Sequence, residues 1–285
     1  MEIEPKDLRT IKYGQGLAAK VLGGMIGGGT ALLTANPVLG AVVGASVAHT
    51  LETVGKEVIE RHLTSRQEAR VGRAIAIAYG KLVEHERGGR CVRNDDFFSP
   101  SDGDRADGAE VTEAALQAAM NSAEERKVDF IASLLANVAT SSEIGAQTAH
   151  LLIDQAQRLT FRSYILLEIA SDVDRFDFGS RHEQADPRAG LTAELQGLEL
   201  EAYELIHAGL AVLKDSEHAA GSLAALGPDD VDPGKIRLTA LGRLLYDNLS
   251  LAEMEKGPLY DRVVKDLGNL ALSARSPNVI KGGRF

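Results

Sequence analysis

The chain has 285 residues, enough for about two domains that each bury a core. Hydrophobic residues make up 44% and aromatics only 5%, with no Trp, so the core must rest on Leu, Ala, Val and Ile, a composition that suits helices better than a β-sandwich. A net charge of −10 argues against a dedicated nucleic-acid binder, and Cys91, the one cysteine, excludes an intramolecular disulfide or a cysteine-based zinc site.

The first residues, Met1 to Asp7, are polar and acidic, unlike a secretory signal. The expected location is therefore cytoplasmic, either free or at the inner membrane as a peripheral or inserted protein. Residues 1–15 read as a lead-in. From about 16 to 54 the chain is apolar, and Gly23 to His49 contains no ionised side chain apart from His49 itself. Asn36-Pro37 divides this stretch, because proline disfavours the α conformation in the residue before it. Two helical arms meeting at a turn follow.

Ala19, Gly23, Gly27 and Ala31 recur every four residues in the first arm, and Gly40, Gly44 and Ala48 in the second. Small residues at that interval make a flat groove along one helix face, letting two backbones approach closely. Each glycine costs up to about 1 kcal/mol of helix propensity relative to Ala in water. Lipid instead enforces the helix, since backbone groups there have no other partner. The pattern fits a glycine zipper in a membrane, or a buried hairpin in a water-soluble core. The segment lacks the later acidic residue that a dinucleotide site would need after Gly14-Gln15-Gly16. "VVGASVA" places Ser46 in a near G-x-S-x-G, but the chain shows no parallel sheet to hold a nucleophile elbow.

An amphipathic helix follows, capped by Thr64 or by Ser65 with Glu68, with Val71, Ala74, Ile75, Ala78 and Leu82 on one face and Gly88-Gly89 ending it. Arg66, Arg70 and Arg73 form a basic stripe on it. They are candidates for headgroup contacts beside the hairpin, or for a solvated face paired with acidic neighbours. Residues 94–110 read as an acidic surface loop or domain boundary. Asp102, Asp104, Glu110 and Glu113 match four EF-hand positions, but Ala106 and Asp107 stand where a ligand and the turn glycine belong. From about Glu110 a helical stretch continues past Thr140, with a further helix over 144–159.

In the last third, "TFRSYILLEIAS" begins a helix at a Thr cap and "LTAELQGLELEAYELIHAG" supplies one or two more. "GLAVLKD" and "KIRLT" are strand-like, and Thr239 caps "TALGRLLYDNL". Gly209-Leu210 entering a strand, a loop around 227–234, then Leu238-Thr239 leading to Gly242-Arg243 resemble a winged-helix domain over about 160–250. In DNA-reading members the helix before the first wing strand carries basic and amide side chains. Here it carries Glu199, Glu201 and Glu204, so the resemblance implies protein contacts rather than base reading. Residues from 273 onward read as a mobile tail.

The expected architecture is mainly α. A glycine-zipper hairpin (1–60) precedes a helical domain (61–159), a winged-helix-like α+β module (160–272) and the tail (273–285). No catalytic, cofactor or metal signature stands out among seven dispersed His and the carboxylates. The expected function is that of a non-enzymatic, self-associating, membrane-active protein resembling bacterial toxin or phage-defence effectors. The alternative is an adaptor or regulator that uses the acidic module to bind a protein.

Overall fold

A computed structural model describes residues 45–99, 105–176, 178, 192–213 and 236–273; of residues 269–273 it gives the backbone alone. The fold of these residues is mainly helical, with one two-stranded sheet. The chain divides into two compact units. One runs to Arg158 and includes Asn248–Ser250; the other takes Leu159–Asp247 and the residues from Leu251 on.

The described part of the first unit begins with α1 (Ala45–Ile59). Val47, Ala48, Leu51, Val54 and Val58 are buried, while Ser46, His49, Thr53, Lys56 and Glu57 are exposed. The end of the apolar segment is thus an amphipathic helix with its apolar stripe in the core, ending five residues beyond the expected arm. After a left-handed His62, α2 (Ser65–Arg87) starts at Thr64. The capping box is Thr64 with Gln67, one residue earlier than the Ser65/Glu68 pairing, because Thr64 has the extended backbone that a cap requires. All five apolar positions expected on one face of α2 are buried.

The expected long helix after Glu110 is two helices, α3 (Asp107–Asn121) and α4 (Glu125–Ala139). Ser122 breaks it: its backbone is extended and its hydroxyl donates to the Glu124 carbonyl at 3.0 Å. Then α5 (Ala146–Arg158) follows. Helix α3 packs against α1, α2, α4 and α5. Its buried Ala115, Ala118 and Ala119 leave room for neighbours on several sides.

The acidic segment is not a boundary between the units. A 3₁₀ turn, Asp96–Phe98, buries both Phe97 and Phe98 edge-to-face at 5.1 Å. A Cβ on Gly108 would lie 2.4 Å from the Phe98 ring, so the first turn of α3 holds the one residue that admits this plug. Arg93, its side chain 4% exposed, lies over Phe97 and donates to the Ile144 carbonyl at 2.7 Å.

The second unit is built on α6 (Phe161–Ser171), capped by Thr160 and buried nearly all round, as expected of a helix with apolar residues on every face. Thr192 caps α7 (Ala193–His207). Gly209 in the left-handed region turns the chain into β1 (Ala211–Leu213), which pairs antiparallel with β2 (Ile236–Leu238), Val212 opposite Arg237. Helix α8 (Ala240–Asn248) follows. The last described element is α9 (Pro258–Ser273), packed on α6 and α7.

Candidate functional site

Three groups of residues were expected to carry function. Of the small-residue positions, Ala19, Gly23, Gly27, Ala31, Gly40 and Gly44 lie outside the described residues. Ala48 is described, and it is buried in α1. Ser46 sits in the first turn of that helix, its carbonyl accepting from the Thr50 hydroxyl at 2.9 Å. Among the described residues no helix is long and apolar enough to cross a membrane.

The arginine stripe of α2 faces α4. Arg66 and Arg70 both reach Glu125 Oε1, at 3.0 and 2.9 Å, and Arg70 also donates to the Met120 carbonyl. Arg73 grips Asp129 with two bonds of 2.6 Å, the bidentate geometry that makes guanidinium pairs strong. Glu125 and Asp129 stand four apart on α4, so a one-sided ladder joins the two helices. In the structure these three arginines hold carboxylates. Desolvation pushes the Glu125 carboxyl upward, yet hydrogen bonds from Arg66 and Arg70 outweigh it and hold the carboxyl below its usual range.

That sign gives a prediction. A depressed carboxylate stabilises the fold above its unfolded pKa, and the contribution disappears as pH falls through the lower folded value. Glu125→Gln should lower stability at neutral pH by about 1 kcal/mol, because Arg70 is left buried without its anion while solvent screens the half-exposed carboxylate and Arg66. The gap between the two proteins should close below about pH 4. Chemical denaturation at pH 7 and pH 3 reads both.

Of the acidic positions on α7, Glu201 turns inward. It accepts from Arg162 Nε at 2.6 Å and from the Thr160 hydroxyl at 3.0 Å, tying α7 to the start of α6. Glu199 is half-buried and Glu204 is exposed. The solvent face of α7 is the stripe Gln196, Leu200, Tyr203, Glu204 and His207, at spacings of three and four. Leu200 is 47% exposed; only Leu151 is comparable among the large hydrophobic residues described. The Tyr203 and His207 rings pack edge-on at 4.5 Å.

The sequence reading missed a cluster centred on Glu168. This carboxylate sits on α6 with 4% of its side chain exposed. Tyr260 of α9 donates to Oε2 at 2.5 Å, Arg175 donates to Oε1 at 2.9 Å, and Lys256 lies 3.5 Å from Oε1. Arg175 also reaches the Tyr260 hydroxyl at 3.2 Å. Burial and the bond to Glu168 both hold the Tyr260 hydroxyl well above the ordinary phenol range. The available signal was one ionisable residue, Glu168, inside the otherwise apolar run "YILLEIA". Every oxygen of that carboxylate is satisfied from within the unit, which suits a structural pin.

Among the described residues no group of three His, Cys, Asp or Glu is placed to hold a metal ion. Of the four EF-hand matches, Asp102 and Asp104 lie outside the described residues. Glu113 accepts from Arg61 at 2.6 Å and from Arg105. No family model matches the chain, and neither a curated protein nor a solved structure does.

Proposed function

We propose a non-enzymatic, self-associating protein, membrane-active in the manner of bacterial toxin or phage-defence effectors, in which the folded units hold back the apolar segment. The observation that carries the reading is the double use of α1. Val47, Ala48, Leu51 and Val54 complete the second arm of the hairpin in sequence, and the same residues are buried in the first unit. With α1 docked, only eight residues from Pro37 to Gly44 remain for that arm, about 12 Å of helix at 1.5 Å per residue. The hydrocarbon core is about 30 Å thick. Insertion therefore requires α1 to leave its site, and the docked form is the restrained one. Ala19, Gly23, Gly27, Ala31, Gly40, Gly44 and Ala48 are the packing positions of the inserted, associated state. The restrained form is cytoplasmic, and the released form belongs to the inner membrane.

Gly27→Leu with Gly44→Leu tests this. Large side chains at the small-residue positions should abolish liposome leakage while both folded units keep their helical signal. Unfolding of the first unit by the pair would instead identify the glycines as packing devices of a soluble core.

A second reading is favoured by the exposed Leu200. The order α7, β1, β2, α8 and the contacts of Gly209, Leu210, Thr239 and Gly242 support a winged-helix-like module. The helix such domains use for reading presents Leu200, Tyr203 and Glu204 here, chemistry suited to a protein partner and unsuited to phosphates. In this reading the module is an adaptor.

A further inference from the structure

We infer that the solvent face of α7 is a docking surface for a basic, apolar segment, and that residues 274–285 of this chain are its occupant. The inference rests on the adaptor reading and gives its partner a chemistry. On the face, Leu200 and Tyr203 supply an apolar ridge, with Glu204 beside it and Glu194 exposed in the first turn of α7. The helix itself contains no Lys or Arg, and the one guanidinium against it, Arg162, is held by Glu201. Glu201 is already neutralised by Arg162, which leaves the attraction to the outward carboxylates.

The sequence "ARSPNVIKGGRF", 274–285, has the complementary pattern: Arg275, Lys281 and Arg284 without any acidic residue, and Val279, Ile280 and Phe285 as apolar anchors. It continues directly from α9, which packs against α7. Twelve residues reach about 40 Å when extended, and α7 is about 22 Å long, so the span suffices. Such a tail would compete with any basic partner for one surface.

Spin labels at Gln196→Cys and Gly283→Cys in a Cys91→Ser chain test the contact. The expected result is a short, narrow distance distribution that broadens at about 0.5 M salt and in the triple variant Arg275→Glu, Lys281→Glu, Arg284→Glu. A broad distribution indifferent to salt and charge overturns the inference. So does a short distance that vanishes on dilution with unlabelled protein, since the occupant is then a second copy. A labelled peptide of sequence 274–285 is titrated in parallel onto the intact chain and the triple variant. The variant should bind it about tenfold more tightly, the factor gained when an occupant covering nine-tenths of molecules is removed, and Leu200→Ser should abolish that binding. Peptide binding with broad spin-label distances keeps the adaptor surface and removes the tail as its occupant. Absence of both removes both.

Discussion

Gly242→Ala should destabilise the second unit by about 3 kcal/mol or more, the largest effect expected of any single methyl group in the described residues. A Cβ at this position would lie 1.8 Å from the Leu210 carbonyl oxygen and 2.8 Å from its carbon. Neither atom is free to move. The same oxygen accepts the Thr239 N–H at 3.1 Å, Leu210 is fully buried, and Thr239 donates to the Gly209 carbonyl at 2.6 Å while capping the Gly242 N–H at 3.0 Å. The added methyl would pry α8 from the entrance of β1 and break these bonds together. Gly80→Ala is the internal control. Nothing lies within 4 Å of a Cβ there, and the residue sits inside α2, so the change should stabilise the first unit by up to about 1 kcal/mol. Hydrogen exchange resolved by unit separates the two results, which a single melting curve over both units would merge.

Glu168→Ala should cost the second unit about 3 kcal/mol. The carboxylate is the shared acceptor of Tyr260, Arg175 and Lys256, so its loss orphans a buried hydroxyl and leaves a void between α6 and α9. The two cations are themselves 41% and 47% exposed and can recover water, which keeps the penalty below that of a fully buried pair. Removing both ends of the buried bond, as Glu168→Leu with Tyr260→Phe, should restore much of the loss, because no polar atom is then stranded. The cluster also fixes an alkaline limit. The folded Tyr260 pKa is raised, so its contribution is complete below the unfolded value near 10 and declines as pH rises from there towards the folded value. Tyr260→Phe should remove that alkaline slope, as measured by urea unfolding between pH 8 and pH 11.

Local chemistry was legible in the sequence. Thr160 and Thr239 cap their helices as expected, because a cap depends on one side chain and its next three residues. The Gly209-Leu210 and Leu238-Thr239 steps likewise mark the strands, since a left-handed turn and a helix cap leave distinct residue types. Long-range partners were not legible. Arg66, Arg70 and Arg73 show a stripe in sequence, but their acceptors lie more than fifty residues away on α4. The break at Ser122 carries neither Pro nor Gly, only a serine whose backbone is extended. Helix α9 is assigned no element from sequence, although Tyr260, Val263 and Leu267 recur at helical spacing and are buried. Its role appears only when Tyr260 meets Glu168. Phe97 and Phe98 were hidden by their acidic surroundings, which made a packed plug resemble a solvated loop.

Vesicle flotation of the chain with and without Val58→Asp tests whether α1 restrains the apolar segment. Val58 is 1% exposed on α1 and lies beyond the 16–54 segment, so the charge undocks the helix without burdening the arm that would insert. Flotation separates vesicle-bound protein, which rises, from aggregate, which sinks. If α1 is the restraint, Val58→Asp floats with anionic phospholipid vesicles and resists alkaline carbonate, while the parent chain stays largely at the bottom of the gradient. An undocked variant that remains folded in α2 to α5 yet never floats would contradict it, and would make α1 an ordinary core helix.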